Sequence, residues 1–167
     1  MFTPVARGEY VYGGALGVGG GMVRIKADGT GVAAEQVYFV RGLPNGPGGA
    51  VLVGDHIYGT ESGKKLVAAE FATGKIKWQD ESLGWSSIAA ADGLLYLHGT
   101  NGDVALIEAT PEGYHQKGRF TPPAQPQKKT TGVPYPESAF AYPIIANGTL
   151  YIRDLGTMWA WDIKARK

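Results

Sequence analysis

Four times in 167 residues a two-residue polar turn leads into a short apolar run that ends on tyrosine. The four copies are Gly8-Glu9-Tyr10-Val11-Tyr12, Gly54-Asp55-His56-Ile57-Tyr58, Asp92-Gly93-Leu94-Leu95-Tyr96 and Asn147-Gly148-Thr149-Leu150-Tyr151, with the last tyrosines 46, 38 and 55 positions apart. A recurrence at that period means a stacked array of one supersecondary unit, since a single unit cannot bury its own apolar face. The spacing brackets the roughly 40–50 residues of a four-stranded antiparallel unit.

The segments around each turn fit that unit. Short or branched strands precede it: Pro4-Val5-Ala6, Ala50-Val51-Leu52-Val53, Ile88-Ala89-Ala90-Ala91 and Pro143-Ile144-Ile145-Ala146. Third strands follow at 22–25, 66–69, 104–107 and 158–161, and fourth strands at 37–40, at 76–78 and, more weakly, between Tyr114 and Phe120. Small side chains suit strands crowded around a central axis. The expected fold class is therefore all-β, a β-propeller segment of about four blades: three complete four-stranded units and one lacking its outer strand. The expected blades are 3–41, 48–82, 86–121 and 139–167 within a single domain, with a Pro-rich loop at 121–138 and a flexible glycine-rich hairpin loop at 13–21. An open row of four blades would leave two apolar faces to be covered.

The stretch Ala68-Ala69-Glu70-Phe71-Ala72-Thr73-Gly74-Lys75-Ile76-Lys77-Trp78 shows how a unit is built. Thr73-Gly74 supplies a turn, while Ile76 and Trp78 alternate with Lys75 and Lys77 on the return strand, giving one apolar and one solvated face. The spacing Ala68-x-Glu70-x-x-Thr73-Gly74-Lys75-x-x-Trp78 resembles the tryptophan-docking repeat of the quinoprotein-like, or PQQ-repeat, β-propeller superfamily, in which the Trp of one blade packs on its neighbour. The family form has Asp where this chain has Glu70. The fourth unit begins the repeat as Ala160-x-Asp162 and then departs from it at Ala165-Arg166, and the first barely fits. The tail resembles the closing blade of exported bacterial propellers.

Composition removes several function classes. Sixteen Lys and Arg against 15 Asp and Glu leave a net charge of +1, so no long-range field recruits nucleic acid or an anionic membrane. With no cysteine there is no disulfide framework, zinc ribbon or thiol nucleophile. No stretch approaches the roughly 18 apolar residues of a membrane span, and Met1-Phe2-Thr3-Pro4 lacks the pattern of a secretory leader.

Candidate catalytic motifs fail on spacing. The run Gly17-x-Gly19 has Met22 where a phosphate cradle needs glycine, and no helix former follows. Ser62-x-x-Lys65 has the separation of a Ser–Lys acyl-transfer pair but falls in a turn. His56, His98 and His115 sit in different units without ligand partners at metal spacing. Among the four tryptophans, Trp85 stands in a loop, and with Tyr135 and Tyr142 it forms the candidate ligand-contacting set, suited to stacking on a sugar ring.

The leading functional expectation is a non-catalytic binding or scaffold module that engages protein or extracellular polysaccharide. The expected partners are a second copy, closing an eight-bladed ring as a homodimer, or the remaining blades of a longer propeller. No cofactor is expected. The alternative that the resemblance implies is a PQQ-dependent quinoprotein oxidoreductase of the alcohol-dehydrogenase type, holding pyrroloquinoline quinone with calcium in its axial funnel. The resemblance also implies a periplasmic or extracellular location.

Overall fold

A computed structural model describes residues 2–27, 29–81, 83–126 and 141–164. Blade 1 contains β1 (Val5–Arg7), β2 (Tyr10–Ala15), β3 (Gly19–Ala27) and β4 (Val32–Val40), paired antiparallel in that order. Blade 2 contains β5 (Ala50–Val53), β6 (His56–Thr60), β7 (Leu66–Glu70) and β8 (Ile76–Asp80). Blade 3 contains β9 (Ser86–Ala91), β10 (Leu94–Gly99), β11 (Val104–Glu108) and β12 (Gln116–Phe120). Blade 4 has three strands among the described residues: β13 (Ile144–Ala146), β14 (Thr149–Asp154) and β15 (Thr157–Asp162). The architecture is all-β, and no helix among the described residues is long and apolar enough to cross a membrane.

The recurring turns are tight hairpins. Asp92-Gly93 and Asn147-Gly148 both carry positive φ at each central residue, which matches the right-handed twist of the flanking strands and explains the Asp/Asn-Gly choice. Successive innermost strands lie side by side, β1 against β5, β5 against β9, and β9 against β13, so the blades follow one another in chain order around an axis.

Strand alternation then assigns each side chain to one of two seams. Tyr12 and Met22 of blade 1 face blade 2, where they meet Ile57, Val67 and Ala69. One residue on, Tyr58 with Leu66 and Ala68 faces the other way, toward Leu95, Leu97, Ala105 and Ile107 of blade 3. Tyr96 and Val104 in turn meet Leu150 and Ile152, with Trp159 and Trp161 packed alongside. The repeating tyrosine thus packs forward onto the next blade, and the aliphatic residue before it packs backward. Burying a large apolar side chain contributes about 1.5–3 kcal/mol, so stability resides between the sheets.

The glycine run departs from the expected flexible loop. Gly13 pairs with Gly21, Gly14 with Gly20 and Ala15 with Gly19 as the ends of β2 and β3, leaving only 16–18 as the turn. Close backbone approach is the reason. The segment 42–49 crosses over this ribbon, where the buried Tyr12 hydroxyl donates to the Pro44 carbonyl at 2.6 Å. A Cβ on Gly14 would stand 2.7 Å from that same carbonyl oxygen, and one on Gly20 would collide with the Tyr12 hydroxyl.

Candidate functional site: the blade seams and the axial mouth

The hairpin at 68–78 closes on its own polar groups. Gly74, at φ +70°, donates its N–H to the Glu70 carbonyl at 2.9 Å, and the Glu70 N–H donates to the Lys75 carbonyl at 2.9 Å. The Thr73 hydroxyl donates to Glu70 Oε2 at 2.8 Å and accepts the Lys75 N–H at 3.2 Å. That hydroxyl, and beyond it the Lys77 ammonium at 3.4 Å, holds the Glu70 carboxyl below its ordinary range. In the fourth blade Asp162 accepts the Lys164 N–H at 3.1 Å, and Ala160 is exposed.

A one-residue bulge between Ala68 and Ala69 sets Trp78 opposite Ala68, on the face toward blade 3. Its Nε1–H donates to the Thr110 carbonyl across the seam at 2.8 Å, and its ring meets Tyr58 and Tyr114 at centroid distances of 6.2 and 6.1 Å. Blade 1 repeats the device with a different residue. Tyr38 stands opposite Met22 beside an equivalent bulge, and its hydroxyl donates to the Phe71 carbonyl of blade 2 at 2.7 Å. Burial pushes this phenol up to about 12. Sequence reasoning missed Tyr38, because only the pairing register aligns it with Trp78. Blade 3 has Gly118 at the same register, opposite Leu106. Nothing lies within 4 Å of where its Cβ would stand, and a cavity of about 170 Å³ lined by Tyr96, Val104, Leu106, Phe120 and Leu150 remains at that seam.

Of the candidate aromatic residues, Trp85 and Tyr142 lie among the described residues. Trp85 is half-buried, donates Nε1–H to the Glu61 carbonyl at 3.1 Å, and has the Lys64 ammonium 5.4 Å from its ring centroid. Tyr142 is 37% exposed at the axial mouth, with its hydroxyl 3.4 Å from Thr3 Oγ1 and close to Gly49. Beside it, Ser87 Oγ donates to the Ala141 carbonyl at 2.9 Å, so the lead-in to blade 4 touches the lead-ins to blades 1 and 2 and the first strand of blade 3. Tyr135, and most of the Pro-rich loop, lie outside the described residues.

Polar groups elsewhere are engaged structurally. Ser62 Oγ donates to Asn45 Oδ1 at 2.9 Å and accepts the Gly17 N–H at 2.8 Å, whereas Lys65 pairs with Glu81 at 3.2 Å. That pair therefore has no shared proton path. A cleft of about 700 Å³ opens at the seam between blades 1 and 2, floored by Tyr10, Met22, Val37 and Phe71. Its rim charges are paired, Arg7 with Asp55 at 2.8 Å and Arg24 with Glu9 at 2.7 Å. Such a cleft selects for apolar shape more than for charge. Calcium beside a quinone needs several converging oxygen donors. Among the described residues no three His, Asp or Glu side chains converge in that way.

The outward faces of the two terminal blades are apolar. On blade 1 a groove of about 400 Å³ is walled by Val11, Gly13, Gly21, Val23 and Phe39, the last 46% exposed. On blade 4, Ile144 and Met158 are 59% and 68% exposed beside a half-buried Tyr151, with the exposed Arg153 opposite Met158 as the charged residue of that face.

No protein-family model matches the chain, and no curated protein matches it. Solved structures do. BamB from Moraxella catarrhalis superposes with a TM-score of 0.69 at 14% identity, over 99% of this chain and 45% of that one. Apo AztD from Citrobacter koseri gives a TM-score of 0.38 at 11% identity over 74% of this chain and 59% of that one, too low to carry an argument. The chain spans less than half the length of the BamB that it matches. With four radially ordered antiparallel sheets, forward-packing tyrosines and this structural likeness, the chain has a β-propeller fold and forms a propeller segment of four blades.

Proposed function

We propose that this chain is a non-catalytic β-propeller module that works by binding, a scaffold for protein or extracellular polymer whose ring is completed by a second set of blades. The observation that carries the reading is the pair of open apolar faces on blades 1 and 4. Exposed apolar surface rimmed by polar residues marks an interaction site. Four blades cover 45% of the BamB chain, so a propeller of that length has room for roughly twice as many, and a homodimer of this chain supplies eight. By resemblance the module works in the periplasm or outside the cell.

The test is a titration of the pure chain with pyrroloquinoline quinone and calcium, followed by absorbance and dye-linked alcohol oxidation. The expected result is neither a bound chromophore nor turnover. A stoichiometric chromophore with alcohol-dependent dye reduction would overturn the binding-module reading in favour of a quinoprotein oxidoreductase. Ligand contact by Trp85, Tyr135 and Tyr142 is tested by glycan-array binding of Trp85→Ala and Tyr142→Ala; binding unchanged in both would remove them from the site.

A further inference from the structure

The three internal seams are built in one register, and that register says what each open face is shaped to meet. In every seam the forward face of a blade offers the repeating tyrosine and third-strand residues beside it: Tyr12 with Met22, Tyr58 with Leu66 and Ala68, and Tyr96 with Val104. The backward face of the following blade offers second- and third-strand residues of opposite parity: Ile57 with Val67 and Ala69, then Leu95 and Leu97 with Ala105 and Ile107, then Leu150 and Ile152 with Trp159 and Trp161. Strand pairing places Tyr151, Met158 and Ala160 in the first set, with the exposed Arg153 opposite Met158 at the position that Thr60 and His98 hold in blades 2 and 3, and Val11, Gly13, Gly21 and Val23 in the second.

The two faces are also complementary in size. Where blades 3 and 4 carry Leu97 with Ala105 and Ile152 with Trp159, blade 1 carries Gly13 paired with Gly21, a recess with no side chains. Phe39 forms one wall of that recess, and a Cβ on Gly21 would come 3.2 Å from its ring. Where blade 2 carries Leu66 and blade 3 Val104, blade 4 carries the longer Met158, 68% exposed. A long flexible thioether suits an irregular gap of this kind.

Building on the ring-completion reading, we propose that the occupant of the Gly13–Gly21 recess is Met158, with Tyr151 beside it, from a second copy of this chain. A two-fold axis along the ring axis makes the reciprocal contact, so both open faces of each copy are covered by two identical seams. The occupant is a copy because one open face presents the long side chain and the other the recess that receives it, so a second copy offers each face its complement.

The test combines light scattering after size exclusion with site-directed cross-linking. The wild-type chain of 17.7 kDa is expected at twice that mass. Gly13→Leu fills the recess while its Cβ meets nothing within 4 Å in its own chain, and Met158→Lys sets a charge on an exposed face. Each is expected to keep the wild-type far-UV circular dichroism and to weaken dimerisation about 100-fold or more, since a second like charge beside Arg153 or an overfilled contact strikes both seams. The sequence has no cysteine, so the double variant Gly13→Cys with Met158→Cys should give a covalent dimer with a short bismaleimide, and neither single variant should. A wild-type chain that stays monomeric at high concentration would mean that the faces belong to further blades of one longer chain, and the second-copy assignment would fall while the quinone titration still judged the binding-module reading. A wild-type dimer indifferent to both substitutions and to the cross-linker would overturn the face assignment alone.

Discussion

Trp78→Ala isolates the contact that ties blade 2 to blade 3. Truncating a fully buried Trp or Phe costs about 3–5 kcal/mol, but Trp78 is half-buried, so the transfer and cavity part belongs at the lower end. Within that loss, the Nε1–H bond to the Thr110 carbonyl accounts for about 1 kcal/mol. The two ring contacts, with Tyr58 and Tyr114, add about 0.5–1.5 kcal/mol each. The expected total is about 3 kcal/mol, a fall in Tm of about 6–12 °C for a domain of this size. Trp78→Phe keeps a ring and loses the hydrogen bond, so about 1–1.5 kcal/mol is expected. Tyr38→Phe, which removes only the hydroxyl that reaches the Phe71 carbonyl, should cost about 1 kcal/mol. The assay is urea unfolding followed by far-UV circular dichroism at one fixed protein concentration, because association would otherwise enter the comparison. If Trp78→Ala loses less than about 1 kcal/mol, or no more than Trp78→Phe, the seam does not depend on this ring and the reasoning fails.

Four further outcomes follow from the same geometry. Gly74→Val places a branched side chain at φ +70° and 2.8 Å from the Tyr38 ring, so a loss of at least about 2 kcal/mol is expected in the same unfolding assay; a neutral result would show that the turn relaxes. Gly118→Leu puts apolar atoms into the cavity of about 170 Å³ between blades 3 and 4 and should raise stability by about 1 kcal/mol, whereas a fall in Tm would show that the cavity cannot accept it. Asp103 is held below its ordinary value of 3.8 by the Thr121 hydroxyl first and by Arg119 as well. Its contribution is therefore complete above that value and is lost as pH falls through the lower folded value, so Asp103→Asn should flatten the stability profile below about pH 4; an unchanged acid limb would refute the linkage. Burial raises the Tyr12 phenol above its ordinary 10.0, so its contribution is complete below pH 10 and is lost as pH rises beyond it. Tyr12→Phe, while it forfeits the bond to Pro44, should lessen the fall in stability above pH 10 in the same urea-unfolding assay, and an unchanged alkaline limb would refute the linkage.

Local features were legible because backbone geometry fixes them over a few residues. The turn pairs before Tyr12, Tyr58, Tyr96 and Tyr151 demand hairpins, and Thr73-Gly74 closes a turn whose hydrogen bonds run from Glu70 to Lys75. The glycine ribbon was misjudged for a non-local reason. Glycine-rich sequence reads as flexible when only chain neighbours are considered, but here the segment 42–49 lies across it and leaves no room for a Cβ at Gly14 or Gly20. Trp85 looked like a free stacking surface, and its N–H partner, the Glu61 carbonyl, lies 24 positions away.

What the sequence by itself determined is the repeat and the two-sidedness of each strand: alternation at period 2 makes Tyr58 and Ile57 face opposite ways wherever the strand is placed. Tertiary structure alone decided which blade supplies a docking side chain and which leaves a gap. Tyr38, Trp78 and Gly118 share no motif, and they become equivalent only when Met22, Ala68 and Leu106 pair opposite them. The reason is physical: a seam is closed by the combined volume of residues from two sheets distant in the chain, so the outcome depends on which side chains meet there and not on the identity of any one of them.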